Sequence, residues 1–341
     1  MDRPLRRLGF LTIGLFDPAS PREGHEATLR LIETGERLGL DSAWLRHRHL
    51  QHGISSPVAV LAAATQRTRR IALGTAVTPL GWENPLRLAE DWATVDVLSG
   101  GRLNPGVSVG PPMRWDDVKD ALYPDTADAE DLTYTRVERL LAHLRGEPAS
   151  AFEGTAGIET FSRQVQPQSA GLADRVWYGA GSMRSATWAA SQGLNLLTSS
   201  VLTGVRAAEG ETPDFAALQA EQVRAFRAAH PDGEAARVSQ GLVVIPTDSA
   251  APEQRRRYAE YAASRLERTR APQGPGGLLF APDLVGPSEE LAERLLAHAA
   301  FAEVEEVAFA LPFTFGEDDY TQILTDYATR LGPLLGWSPA S

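Results

Sequence analysis

Two short stretches hold residues whose types and spacing could do chemistry. In "WLRHRHLQH", Trp44–His52, the imidazoles of His47 and His49 stand two apart, so along an extended strand they share a face. Such a pair can move a proton or ligate a metal. Arg46 and Arg48 beside them would repel a cation, and no carboxylate is nearby, so no metal is expected. Solvated polar side chains at a strand exit, or a substrate pocket, remain as readings. In "GAGSMRS", Gly179–Ser185, a strand ends, glycines turn the chain and a helix begins. Gly181 permits close backbone approach, Ser182 stands at the N-cap and Ser185 in the first turn. Free amides and two hydroxyls there make a phosphate cradle, or simply a serine-capped helix.

The rest of the chain must position these groups. With 341 residues, 43% hydrophobic and 23% charged, it has the make-up of an ordinary globular protein long enough to bury a large core. Cysteine is absent, which removes disulfides, thiolate metal sites and cysteine nucleophiles. A net charge of −11 argues against nucleic acid and anionic membranes as partners, because both need a basic field. Lys119 is the only lysine, so nearly every cation is an arginine. The leading "MDRPLRRLGFLTIGLFDPAS" has three arginines before a short apolar run, but reads better as a first strand than as a signal peptide. No run is long enough to span a bilayer, and a cytoplasmic location is expected.

Short apolar runs alternate with helical periodicities. Strands are expected at Leu8–Gly14, Asp41–Arg46, Arg70–Val77, Arg102–Val109, Val176–Ala180, Leu194–Ser199, Ser239–Ile245 and Glu306–Ala310. Helices are expected at Glu23–Leu38, Pro57–Gln66, Leu86–Leu98, Ala129–Arg145, Arg184–Gln192, Phe215–Ala229, Gln254–Arg268, Ser288–Ala302 and Tyr320–Leu331. Eight such units without a break in composition predict an α/β fold: one (β/α)8 TIM-like barrel covering 1–341. Insertions are expected after the fourth and seventh strands, near 146–172 and 271–286, the second as a mobile lid. The helix Leu86–Leu98 carries Glu90, Asp91 and Asp96 among apolar residues. Buried acids need partners, and Arg102 just past the Gly100-Gly101 turn is the expected one.

The stretch "SPVAVLAAATQRTRRIALGTAVTPLGWENPLRLAEDWATVDVLSGGRLNPGVSVG" resembles the bacterial luciferase-like flavin-dependent monooxygenase family, most densely over Gly39–Gly110. "LGTAV", "NPLRLAED" and "LSGGRL" carry the likeness together, in that order and spacing. "VWYGAGSMRSATWAASQGLNLL" and "GPSEELAERLL" extend it over most of the chain. The resemblance implies a barrel, usually dimeric, that binds flavin or deazaflavin at the C-terminal strand ends. It implies that Thr75 and Ala76 pack against the flavin ring, that Ser108 faces the cofactor, and that Gly181, Ser182 and Ser185 hold its phosphate. His47 and His49 become candidate catalytic groups. Two departures stand out. The family's Glu-His-His after the tryptophan is here His47-Arg48-His49, so light emission or aldehyde oxidation is not implied. Val109 stands near the position of a phosphate-binding arginine, which leaves that contact to the serine helix, with Arg184 or Arg114 as aids.

The expected function is therefore a flavin-dependent oxidoreductase, read as a monooxygenase. It would take reduced FMN as co-substrate from a separate flavin reductase and act with O2 on a small organic substrate. The alternatives are a deazaflavin-dependent hydride transferase on the same fold and a non-catalytic flavin-binding barrel. The expected assembly is a homodimer.

Overall fold

The computed structural model describes residues 4–207 and 212–340. Arg3, one of the leading arginines, lies outside them. The strands of the main sheet are β1 (Arg7–Thr12), β2 (Ser42–Leu45), β3 (Ala72–Thr75, resumed at Thr78–Pro79), β4 (Leu103–Asn104, resumed at Gly106–Ser108), β5 (Trp177–Gly179), β6 (Asn195–Thr198), β7 (Val238–Gln240) and β8 (Glu306–Ala310). Every pairing among them is parallel, each strand pairs with the next in order, and β8 pairs with β1 as well as β7. Parallel neighbours need crossovers, and helices supply them. They are α1 (Pro21–Arg37), α2 (Pro57–Arg67), α3 (Pro85–Ser99), α4 (Trp115–Leu122), α5 (Thr135–Leu144), α6 (Met183–Ser191), α7 (Phe215–Ala229), α8 (Pro252–Arg265), α9 (Ser288–Leu296) and α10 (Glu317–Asp326). The result is an α/β fold with a curled parallel sheet. No helix among the described residues is long and apolar enough to cross a membrane.

Several expectations need correction. β3 and β4 are not continuous. β3 breaks at Ala76-Val77, whose peptide bond is cis, and β4 breaks at Pro105, which has no N–H to give the ladder. The apolar run Ser239–Ile245 divides: Val244–Pro246 leaves the main sheet and pairs in parallel with Leu284–Gly286. α4 precedes the expected helix Ala129–Arg145, and α5 starts at Thr135 rather than Ala129. Between α5 and β5 an antiparallel pair, Gly154–Ala156 with Glu159–Phe161, stands on the surface. Within 271–286, Leu279–Phe280 pairs with Val201–Leu202 and Leu284–Gly286 with Val244–Pro246.

The acids of α3 divide as well. Asn84 caps the helix, its side chain accepting from Leu86 N and Arg87 N, and left-handed Gly100 and Gly101 (φ 71° and 86°) end it. Glu90 and Asp91 lie on the outer turns, paired with Arg87. Asp96 is fully buried. Its partner is not Arg102 but Arg175, whose Nη2 lies 2.5 Å from Oδ2; Ser169 Oγ and Leu103 N also donate to it, at 2.5 and 3.0 Å. Arg102 instead donates to Ser99 O, Ile71 O and Thr68 Oγ1 at 2.8, 2.8 and 3.0 Å, joining the ends of α2 and α3. Ser99 O closes α3 and Thr68 caps α2, so the guanidinium satisfies acceptors there that no helix turn can reach.

Asp96 thus ties α3 to a segment 79 residues away. Asp96→Ala should lower stability by about 3–5 kcal/mol in urea unfolding, because a partly buried guanidinium and a buried amide lose their acceptor. A loss below about 1 kcal/mol would mean that the tie is not structural.

Candidate active site

In a parallel sheet all strand C-termini emerge at one rim, and the candidate residues from β2, β3, β4 and β5 meet there. The floor under that rim is apolar. Trp44, Trp177, Leu197 and Ala308 form one inward cluster, with Leu11, Ala76 and Val77 packed on it. Trp44 and Trp177 meet edge to face at 5.5 Å. Gly74 stands opposite Trp44 in the ladder, and a Cβ there would come within 2.2 Å of the indole, so only glycine fits.

Above this floor runs a buried chain of hydrogen bonds. Thr75 Oγ1 donates to Gly106 O and accepts from Gly106 N, both at 2.9 Å. Its one proton is spent, so it accepts from Thr78 Oγ1 at 3.1 Å. The Thr78 hydroxyl then has no proton left for His47 Nε2, 3.1 Å away, and must accept from it. His47 therefore carries its proton on Nε2 and uses Nδ1 as an acceptor. The Nε2 of His49, 3.2 Å from that Nδ1, must be the donor. This leaves His49 Nδ1 as the free acceptor of the chain.

Burial keeps the two rings neutral. It pushes His47, 6% exposed, down to about 3, with His49 a lesser cause, and it lowers His49 as well. His49 stacks on Trp82 at 4.1 Å and 10°. Both histidines line a cavity of about 740 Å³, together with Trp82, Pro112 and Met113.

The absence of a nearby carboxylate, expected from the sequence, is overturned. Glu83 brings an oxygen within 4.8 Å of ligand nitrogens of both histidines. It lies 34 or more residues along the chain, and only the loop leaving β3 delivers it. Burial, then Asp91, raises Glu83 to about 7. No spacing rule signals this meeting.

The second group of residues surrounds the start of α6. Ser182 Oγ accepts from Ser185 N at 3.2 Å, and Ser185 Oγ accepts from Ser182 N at 3.1 Å. This is a reciprocal capping box, so the two hydroxyls are already engaged with their own helix. A cavity of about 550 Å³ adjoins them, lined by Gly181, Arg184, Thr203, Gly204 and Arg206. Two guanidiniums and the first helical amides fit a phosphate there. Nearby polar atoms also lack protein partners: Thr198 Oγ1, at the end of β6, and Gln222 Oε1, on α7, are both buried and unsatisfied. Ser108 ends β4 beside Pro79. An apolar floor for a planar ring, orphaned acceptors and a cationic helix start together suit a flavin phosphate ester.

The match to a family model described as luciferase-like monooxygenase spans residues 7–306. The chain belongs to the luciferase-like monooxygenase family. It is similar to 4-hydroxyprotoasukamycin monooxygenase of Streptomyces nodosus subsp. asukaensis, 38% identical over 24% of this chain and 23% of that one. It is also similar to F420-dependent glucose-6-phosphate dehydrogenase of Amycolatopsis mediterranei, 33% identical over 31% and 32%. The chain thus matches only a quarter to a third of the length of these relatives. In fold it resembles the oxygenating constituent of 3,6-diketocamphane monooxygenase from Pseudomonas putida in complex with FMN. There the TM-score is 0.70 with 13% identity, covering 97% of this chain and 98% of that one.

The hydrogen-bond chain makes a prediction about pH. An unfolded His47 takes up a proton below about 6.5, whereas the folded one resists to about 3. The unfolded state therefore binds more protons in that window, and stability falls as pH drops through it, by up to about 1.4 kcal/mol per pH unit from this residue. His47→Gln keeps one donor and one acceptor but does not titrate. Its stability, followed by urea unfolding from pH 7 to 4, should decline less steeply by that amount. Parallel curves would show that His47 is not held neutral.

Proposed function

We propose that this protein is a flavin-dependent monooxygenase on a (β/α)8 barrel, with insertions after the fourth and seventh strands. In this reading it takes reduced FMN from a separate reductase, works as a cytoplasmic homodimer and oxidises a small organic molecule. The observation that carries the proposal is the junction of the apolar floor with a cationic helix start and a proton-directing histidine pair at one rim. Reduced flavin, when bound, supplies the electrons with which O2 is split between substrate and water.

The chain's own residues bind, orient and manage protons. Arg184, Arg206 and the α6 amides hold the phosphate, with Ser182 and Ser185 fixing the helix start that presents those amides. Gly181 lets the backbone approach, while Thr75, Ala76 and Ser108 border the ring. His49 Nδ1 is the group that accepts a substrate proton or hydrogen bond. His47 acts through it: anchored to Thr78, it fixes which nitrogen of His49 is free. We read the His47, His49 and Glu83 group as proton machinery rather than a metal site, since both nitrogens of His47 are already engaged.

Likeness to an F420-dependent dehydrogenase supports a second reading, hydride transfer to or from a deazaflavin. Anaerobic titration with reduced FMN and with reduced deazaflavin, followed by mixing with oxygenated buffer, separates the two. The monooxygenase reading expects FMN to bind and a transient absorbance to form and decay with O2. Binding of deazaflavin alone, with no reaction with O2, would move the protein to hydride transfer. If the phosphate is held as proposed, FMN should bind more tightly than riboflavin. Arg184→Ala should shrink that preference by up to about fivefold, the range of an exposed ion pair. An unchanged preference would remove the helix start from the cofactor site.

A further inference from the structure

Arg46 and Arg48 follow β2 at the rim. Side chains alternate along a strand, so Arg46 continues the inward row of Trp44. Both guanidiniums lie against Phe313, which follows β8, at 5.9 and 5.8 Å from the ring centroid. Arg265 reaches the same ring at 5.5 Å. Three cations therefore gather around one aromatic ring, and of the three, Arg265 is the one with a carboxylate partner among the described residues. Asp283 takes Arg265 at 2.5 Å and stands 3.9 Å from Arg268. Arg46 and Arg48 have no hydrogen bond or ion pair to any described side chain.

Elsewhere the chain pairs its part-buried arginines: Arg102, Arg136, Arg175 and Arg265 all have carbonyl or carboxylate partners. Burial pulls Arg46 down to about 10, with Arg48 the only other cause and no counter-charge to offset it. Both remain cationic at neutral pH. An unpaired, part-buried charge is destabilising unless something else pairs with it.

We infer that Arg46 and Arg48 seat an organic oxyanion, a carboxylate or sulfonate on the substrate, against Phe313. The inference rests on the monooxygenase reading for calling that molecule the substrate, but the seat itself does not depend on it. Guanidiniums match such groups bidentately, and each charge-assisted contact is strong where water is scarce. Position argues against the cofactor's phosphate as the occupant. The seat lies over the arc β8–β1–β2, whereas the α6 cradle follows β5, three strands further round. Arg48 also lines the cavity that holds His49, which places the anion seat beside the free histidine nitrogen.

Benzoate and its neutral isostere benzamide serve as probes, titrated calorimetrically into the full chain without flavin. Wild type should bind benzoate more tightly than benzamide. Arg46→Met and Arg48→Met should each weaken benzoate by about tenfold or more and leave benzamide unchanged. The double variant should also unfold at higher urea than wild type, because an uncompensated charge pair is gone, and should titrate with reduced FMN as wild type does. Equal benzoate binding in wild type and double variant would overturn the proposal. So would a double variant less stable than wild type, which would make the arginines structural. Loss of FMN binding in the double variant would also overturn it, by giving the seat to the cofactor. Arginine-dependent benzoate binding in a protein that takes neither flavin nor deazaflavin would uphold the seat and remove the monooxygenase reading instead.

Discussion

The hydroxyl of Thr75 grips Gly106 in both directions, accepting from its N–H and donating to its C=O. It does so where β3 and β4 are both interrupted, so a side chain replaces the ladder that the backbone abandons. That choice uses up the hydroxyl's only proton, and every later donor in the row is decided by it. Thr78 must give its proton to Thr75, His47 must give to Thr78, and His49 must give to His47. A structural repair in the sheet thus dictates the tautomer of a ring that borders the cavity. The anchor cannot reverse, since the Gly106 C=O only accepts and its N–H only donates, so the direction of the whole row is fixed.

The two charged environments at the rim follow opposite rules. Around α6 the cations are exposed and the hydroxyls are satisfied by their own helix, so an anion arriving there meets a surface already at rest. Around Phe313 two part-buried cations, Arg46 and Arg48, are short of partners, so the same event relieves a cost that folding has imposed. The first arrangement favours exchange of a diffusible ligand, and the second favours selection, because a neutral molecule leaves the cost in place.

Much of the architecture is legible from residue order, because its signals are local. Asn84-Pro85 starts α3, Gly100 and Gly101 stop it, and Ser182 to Ser185 reads as a capped helix start and is one. Each of the eight apolar runs overlaps a strand of the sheet, although Ser239–Ile245 leaves it after Gln240. What is not legible depends on pairs distant in sequence. Arg102 is close to Asp96 along the chain yet turns to helix-end carbonyls, while Arg175 supplies the charge. Glu83 reaches the histidines only because β3 breaks and its loop returns. Val244–Pro246 is as apolar as any strand but bonds to Leu284–Gly286, a choice composition does not encode. The missing partners of Arg46 and Arg48 are likewise invisible in sequence, since a lack of neighbours is a property of three dimensions.

The tie between Asp96 and the segment carrying Ser169 and Arg175 has a consequence for synthesis of the chain. A ribosome releases β1 to β4 and their helices well before residue 175 appears. Until then the buried carboxylate of α3 lacks its counter-charge. Before Ser169 and Arg175 are made, a docked α3 would leave Asp96 with the Leu103 N–H as its one donor among the described residues. The two halves of the chain are thus joined by a charge from each, and neither half satisfies its own.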